Sequence, residues 1–475
     1  MKNKQTKIVA TVADNKCELE FITQLFENGV NVIRTNTAHQ MPDTTMPIIV
    51  NTRKVSDKLA VMIDTKGPEI RTGKVAEKLP LKEGMTIKIG TDLDTLSTIE
   101  CVQVNYKGFV KEIPVGQHIT FDDGVLEVIV EKKDDKFLYC KVMNDGLLGN
   151  KKTVNVPGAS LKLPSLNEKD KLYVDMCCEQ KIDFLAHSFV RNKEDILCIK
   201  RIFEKKGNTT TKIIAKIENQ EGVDNLLQIL EVADGIMVAR GDLAMEVPAC
   251  EVPIIQKRMI AECIKRGKPV ITATQMLHTM MDNPRPTRAE ISDVANAVYD
   301  GSDAVMLSGE TAQGKYPIQS VQMMAQIIKA VEEKKDRFVK REPTLWQDPV
   351  QRALAHSAIE LTHELPIKAI ITATKGGSTA RLIASHRPKI PVYAKCTKIE
   401  TVRTLALQYG VTASYMKDVK DHNKVVSDTL KELVKDEKLT QDDLILLIST
   451  SPQATHTSEY IEITTIKEHL KKYSH

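Results

Sequence analysis

Eight short apolar runs rich in β-forming residues recur along the first two thirds of the chain. They are KIVATV (7–12), NVIRTN (31–36), LAVMIDT (59–65), DFLAHSF (183–189), KIIAKIE (212–218), GIMVARGD (235–242), PVITATQM (269–276) and AVMLSGET (304–311). Most are separated by amphipathic stretches such as CELEFITQLFENG and EVPIIQKRMIAECIKRG, where apolar residues fall at helical spacing and a glycine closes the pattern. Alternating strands and helices predict a parallel sheet, and eight such units predict a closed (β/α)8 barrel, a TIM barrel of the α/β class.

One interval breaks the alternation. Residues 68–165 hold MTIKIG, HITFDDG and VLEVIVEKKDDKFLYCKV, whose period-two patterning and Asp/Gly turns predict an inserted all-β lid domain. The insertion follows the third strand, on the face where such barrels keep their active sites, so it reads as a lid. The barrel is thus expected over residues 1–67 and 166–340. Beyond it, KAIITAT, PVYAKC, VTASYM, DLILLIST and YIEITTI restart the alternation and predict a separate C-terminal α/β domain with a mixed sheet over 341–475.

Composition changes this picture little. The 475 residues carry 67 basic against 63 acidic side chains, a balance without the polybasic signature of nucleic-acid binding. No apolar run is long enough to span a membrane. The nine cysteines are scattered, with no CxxC pair, which predicts a reduced, cytoplasmic compartment.

The chemistry gathers at strand ends. In KIIAKIENQEG, Lys216 and Glu218 stand two apart, so an extended strand sends both to one side. The same spacing recurs in Arg34/Asn36, Asp64/Lys66, Arg240/Asp242, Thr272/Thr274 and Ser308/Glu310. In a barrel all these ends share one face, and unmatched charge there is expensive, which favours an ion site over isolated salt bridges. A barrel-internal Arg34–Asp64 pair is the alternative for those two residues. Glu218 and Asp242 are hard oxygen ligands that suit Mg²⁺, and no His/Cys cluster favours zinc. Arg34, Lys66, Arg71 and Lys216 supply positive charge for a multiply anionic substrate. Phosphoryl transfer needs this combination, although neither a GxxxxGK[ST] loop nor an HRD motif is present. Further on, TKGGSTA (374–380) follows a strand and opens a helix. It reads either as an anion nest or as a plain turn.

NVIRTNTAH, DTKGPEIRTG, KIENQEG, DGIMVARGDLAMEVP, ITATQML, NPRPTRAEISDVANAVYDGSDAVMLSGETAQGKYP and TKGGSTARLIASHRP resemble, in order and over nearly the whole chain, the signatures of the pyruvate kinase family. The resemblance implies transfer of phosphoryl from phosphoenolpyruvate to ADP. It implies that Lys216 stabilises the phosphoryl in flight and that Glu218 and Asp242 hold Mg²⁺ or Mn²⁺. Thr274 and the amides around Gly241 would grip the substrate carboxylate, and Arg34 its phosphate. Asn36, Asp64 and Thr65 would bind K⁺. Asn36, His39, Arg71 and Lys152 would line the nucleotide site. Ser308 and Glu310 would order water near the enolate. In regulated members a loop matching Thr374, Lys375, Gly376, Gly377, Ser378 and Thr379 holds a sugar-phosphate effector, and the family is usually a homotetramer. Three departures stand out: TVADNK replaces a TIGPAS-like stretch after strand one, STSPQATHTSEY replaces a Gly-rich later loop, and Ala38 stands where a serine usually helps bind K⁺. Two other classes fit parts of the pattern. A Mg²⁺ lyase or aldolase of a pyruvate enolate would leave Arg71 and Lys152 idle. A metabolite-sensing non-enzyme would tolerate loss of Lys216, Glu218 or Asp242, all of which are present.

Overall fold

The computed structural model describes residues 4–38, 40–159, 161–334, 342–417, 422–450 and 459–473. Eight parallel strands close into a barrel in chain order, the last pairing with the first. They are Lys7–Thr11, Val32–Asn36, Ala60–Asp64, Phe184–His187, Lys212–Ile217, Gly235–Ala239, Val270–Ala273 and Ala304–Leu307. Both faces of these strands are covered, which is why the runs read as continuously apolar. One set of side chains, including Val9, Met62, Phe184, Met237 and Met306, fills the barrel interior. The other packs on the surrounding helices, for example Ile217 and Val238 near Met259 and Leu230. Helix ends follow local chemistry. Helix Arg288–Asp300 starts at a Thr287/Glu290 capping box and stops at Gly301, whose φ of 94° is the left-handed conformation a glycine cap allows.

The insertion is an all-β unit with its own core around Ile87, Phe109, Phe121 and Leu138. Its six-stranded sheet runs Val154–Asn155, His118–Phe121, Leu126–Lys133, Leu138–Val142, Thr86–Gly90, Cys101–Gln103. Its root is pinned by Asp170, whose carboxylate accepts the backbone N–H groups of Lys66 at 3.0 Å and Gly67 at 3.2 Å. The C-terminal domain is a five-stranded sheet centred on Ile367–Thr374, with only Glu459–Thr465 antiparallel. It closes the amino-terminal mouth of the barrel. Leu407 packs against the interior cluster, and Arg387 pairs with Asp303 at 2.7 Å.

Three strands end earlier than their runs suggest. The chain turns helical at once after Ala239 (Arg240–Glu246) and nearly so after Leu307 (Gly309–Ala312). After Ala273, Thr274 and Gln275 adopt φ of 70° and 54°. The i, i+2 rule applies only to extended backbone, so it does not hold for Arg240/Asp242, Thr272/Thr274 or Ser308/Glu310.

Candidate active site

At the carboxyl end of the fifth strand the sequence rule does hold. Lys216 Nζ lies 3.0 Å from Glu218 Oε1 and 3.0 Å from Asp64 Oδ1, and donates to Ser188 Oγ at 2.6 Å. Asp64 also accepts from Arg34 Nε at 2.6 Å, while Arg34 Nη1 donates to Thr11 Oγ1 at 2.8 Å. The Arg34–Asp64 pair expected as an alternative is therefore formed. The remaining nitrogen, Nη2, makes no hydrogen bond among the described residues.

Electrostatics sort these groups. Burial works against the charge of Asp64, but Arg34 and Lys216 outweigh it and hold the carboxyl below its usual range. Lys216 is likewise desolvated, yet Asp64 and Glu218 hold it above its ordinary value. Glu218 has one strong cationic neighbour, and burial pushes it up to about 7 despite Lys216, with Asp242 adding to the rise. Asp242 opens on the cleft, but enough protein surrounds it that burial raises its carboxyl too. Two neighbouring carboxyls whose ionised forms burial disfavours form a place for a cation. Among the described residues no group of three or more His, Cys, Asp or Glu forms a metal cage. The donor set fits a hard divalent ion that keeps waters and substrate oxygens in its shell. Asn36 and Asp64 are register partners on adjacent strands, next to Thr65. Their oxygens suit a monovalent cation.

The other predicted residues separate into groups. Gly241 N donates to Thr274 Oγ1 at 2.8 Å, so these two are brought together. Arg240 turns away from the site. It donates to Asp293 at 2.6 Å and to the carbonyls of Ala273 at 3.1 Å and Thr274 at 2.6 Å, so it braces the loop. Thr272 is buried against Ser302 at 2.8 Å. Glu310 has both oxygens occupied by backbone amides, of Leu277 at 3.0 Å and Ser308 at 2.8 Å. Lys66 pairs with Glu69 at 3.4 Å. Arg71 is forked onto Glu69 at 2.9 and 3.1 Å, and Lys152 reaches Asp122 within the lid at 2.9 Å. Asn36 Oδ1 accepts from Ala38 N at 3.1 Å. His39 and most of STSPQATHTSEY lie outside the described residues. Between lid and barrel lies a cleft of about 440 Å³, lined by Glu69, Asp123, Asn155, Asp242 and Glu246 among others.

In the C-terminal domain, Gly377 (φ 80°) precedes helix Ser378–Ser385 in the left-handed conformation. Thr374 Oγ1 accepts Gly377 N at 2.9 Å, and Thr401 Oγ1 donates to Lys375 O at 3.0 Å.

Sequence reasoning missed Ser188. Its hydroxyl accepts from Lys216 and donates to Thr65 O at 2.6 Å, joining the lysine to the proposed cation-binding strand end. It also missed Phe189, whose N–H donates to Glu218 Oε2 at 2.7 Å, and His187, buried between Thr65 Oγ1 at 3.3 Å and Ser165 Oγ at 2.8 Å. Ser188 and His187 close DFLAHSF, a strand with no charged pair to draw the eye.

A closed barrel with a β lid over a cluster of two cations and three carboxylates defines a barrel phosphotransferase. Residues 3–321 match the pyruvate kinase barrel-domain model and residues 352–464 the pyruvate kinase alpha/beta-domain model. The pyruvate kinase of Borreliella burgdorferi is 45% identical over 475 residues, covering 99% of both chains. That of Bacillus licheniformis is 40% identical, covering 99% of this chain and 82% of its own. The solved structure of a pyruvate kinase from Cryptosporidium parvum superposes with a TM-score of 0.89 at 35% identity, covering 98% of this chain and 96% of that one. The chain belongs to the pyruvate kinase family, a metal-dependent family of phosphotransferases. No helix among the described residues is long and apolar enough to cross a membrane.

Proposed function

We infer the following division of labour for the reaction of the family, in which phosphoryl passes from phosphoenolpyruvate to ADP to give pyruvate and ATP, the last step of glycolysis. The observation that carries it is the continuous chain Arg34–Asp64–Lys216–Glu218 at the mouth of the barrel, with Asp242 beside it. Among the described residues Lys216 is the one ammonium in contact with both buried carboxylates, and it stabilises charge spread over the phosphoryl during transfer. Arg34, with Nη2 uncommitted, receives the substrate phosphate. Thr274 and the amides around Gly241 hold the substrate carboxylate. Glu218 and Asp242 bind Mg²⁺ or Mn²⁺, which when bound neutralises the negative charge that phosphate and enolate bring together. Asn36, Asp64 and Thr65 offer oxygens to K⁺, with Ala38 contributing none. Asn36, His39, Arg71 and Lys152 take the nucleotide. Glu310 fixes the Ser308 amide, which leaves the Ser308 hydroxyl to order water near the enolate.

The residues 68–165 unit closes over the cleft and excludes water. The segment from Thr374 to Thr379 takes the phosphate of a sugar-phosphate effector, and the enzyme is a cytoplasmic homotetramer, both read from family likeness. The test is a lactate-dehydrogenase-coupled assay with and without ADP, with Mg²⁺, K⁺ and a panel of sugar phosphates. Pyruvate formation that needs no ADP would replace this reading with that of a lyase.

A further inference from the structure

Where the C-terminal domain meets the amino-terminal end of the barrel, a cavity of about 170 Å³ opens beside Lys212, Asp234, Lys268, Trp346, Arg381 and Thr404. A wider groove of about 620 Å³ continues from it past the same Lys268 and Trp346 toward Asp348 and Gln351. The wall is fixed. The indole packs over Gly267, where a Cβ would sit 2.6 Å from the ring, and its N–H donates to Gln351 at 3.3 Å. Gly267 itself has φ of +63°, so the Arg266–Lys268 turn needs a glycine there on both counts.

Two cations on this cavity lack a counter-ion. Lys268 Nζ donates only to the carbonyls of Leu230 and Ala233, the latter at 2.6 Å. Arg381 Nη1 donates to Gly376 O at 2.9 Å. Neither has a carboxylate within ion-pair distance among the described residues, whereas Arg266 next door is matched by Glu262 at 2.5 Å. Lys212 reaches Asp234 only at 3.8 Å. Burial lowers both Lys268 and Arg381 from their ordinary values, and the charge of Asp234 opposes it in each case without matching it. Desolvated cations that line a hollow whose one carboxylate, Asp234, pairs with neither of them are costly to maintain, and an anion from solution relieves that cost.

We propose that this cavity binds a phosphate dianion, free or as the head of a phosphate monoester, on Arg381 and Lys268, with Lys212 at the rim. The guanidinium suits a tetrahedral oxyanion because its donors lie in a planar fork, and the ammonium adds a point charge. The outer groove along Trp346 leaves room for the body of a monoester. The site lies at the opposite end of the barrel from Lys216. It also differs from the Thr374–Thr379 loop, which it meets at the Arg381 guanidinium, bonded to Gly376 O and lying against Gly377.

Trp346 is the only tryptophan of the chain, so its fluorescence reports on this wall. The full-length protein is titrated with inorganic phosphate and with glycerol phosphate, against potassium chloride at matched ionic strength, and thermal unfolding is followed in parallel. Expected is a saturable fluorescence change and a rise in Tm with phosphate. Arg381→Gln and Lys268→Gln should each weaken binding by about tenfold or more, the loss of one charge-assisted contact. Ser378→Asp, in the neighbouring loop, should leave the titration in place. If either variant fails to fold, Lys212→Gln serves instead, with a loss of about threefold expected for a rim charge. Binding of both probes, or of inorganic phosphate alone, supports the site; the second result restricts it to the free ion. A signal that only follows ionic strength overturns the proposal. So does saturable binding that survives every substitution in the cavity, or binding that Ser378→Asp abolishes while Arg381→Gln spares it.

Discussion

Replacing Lys216 with methionine tests whether the strand-end ammonium is a catalytic charge held in place by the carboxylates it faces. The side chains of Asp64 and Glu218 are each about 1% exposed, and both contact Lys216 at 3.0 Å. Asp64 keeps Arg34 after the substitution, so the electrostatic loss falls mainly on Glu218. In the wild type Glu218 already titrates near 7, pushed there by burial against the pull of Lys216. Without Lys216 it must move higher. A carboxyl raised above its unfolded value costs stability that grows as pH climbs toward its folded pKa. Below about 7 both proteins hold Glu218 protonated and incur the same cost. Above that, only the variant goes on losing stability, at about 1.4 kcal/mol per pH unit. The stability deficit of Lys216→Met should therefore be about 2 kcal/mol larger at pH 8.5 than at pH 6.5. Urea unfolding followed by circular dichroism at the two pH values measures it. In the coupled assay kcat should fall by about a thousandfold or more while KM changes only a few-fold, because the charge is needed most in the transition state. A deficit that is the same at both pH values would show that Lys216 does not hold the Glu218 charge. A large rise in KM with kcat intact would make the lysine a binding residue only.

Ser188→Ala should lower kcat about tenfold with little change in KM, since it removes the hydroxyl that meets Lys216 and Thr65 at 2.6 Å each; an unchanged kcat would reduce Ser188 to packing. Glu218→Gln and Asp242→Asn should each weaken Mg²⁺ by about tenfold or more in a calorimetric titration of the enzyme, and an unmoved midpoint in both removes the metal assignment. His187 is lowered to about 4 by burial, with Asp195 opposing, so the folded protein keeps it neutral while the unfolded chain takes a proton below about 6.5. Its share of stability is complete above 6.5 and is lost as pH falls toward 4, at about 1.4 kcal/mol per unit, and His187→Gln should flatten the pH dependence of unfolding by that amount. Ala38→Ser should shift the K⁺ activation midpoint to lower concentration, read with a large organic cation holding ionic strength constant; no shift would take position 38 out of the cation site.

The barrel was legible because its strands are buried on both faces, so stretches such as IVATV and LAVMI read as apolar runs, while the lid showed itself by period-two alternation in VLEVIVEKK. Lys216 and Glu218 were legible because their strand stays extended through Ile217, which keeps the i, i+2 rule valid up to the pair itself. The same rule misread GIMVARGD. Nothing in that run marks where the strand hands over to a helix after Ala239, and a helical turn sends Arg240 to Asp293 rather than toward the site. Ser188 was invisible for the opposite reason, as a neutral hydroxyl whose role depends on partners 123 and 28 residues away.

A finer distinction lies between Glu218 and Glu310, each 1% exposed near the carboxyl end of a strand. Glu310 accepts two backbone amides, Leu277 and Ser308, so its oxygens are committed to neutral donors that hold loops in place. Glu218 accepts one amide, from Phe189, and turns its other oxygen to an ammonium. An amide bond to a buried carboxylate is part of the fold and is lost only if the loop moves. An ammonium on a flexible stem can be drawn off by an incoming phosphoryl, which frees the oxygen for a metal ion. The proposed division between a metal-binding Glu218 and a loop-holding Glu310 therefore rests on the kind of donor each one faces. Sequence spacing cannot report that, because Leu277 and Phe189 stand 33 and 29 residues from the glutamates they bind.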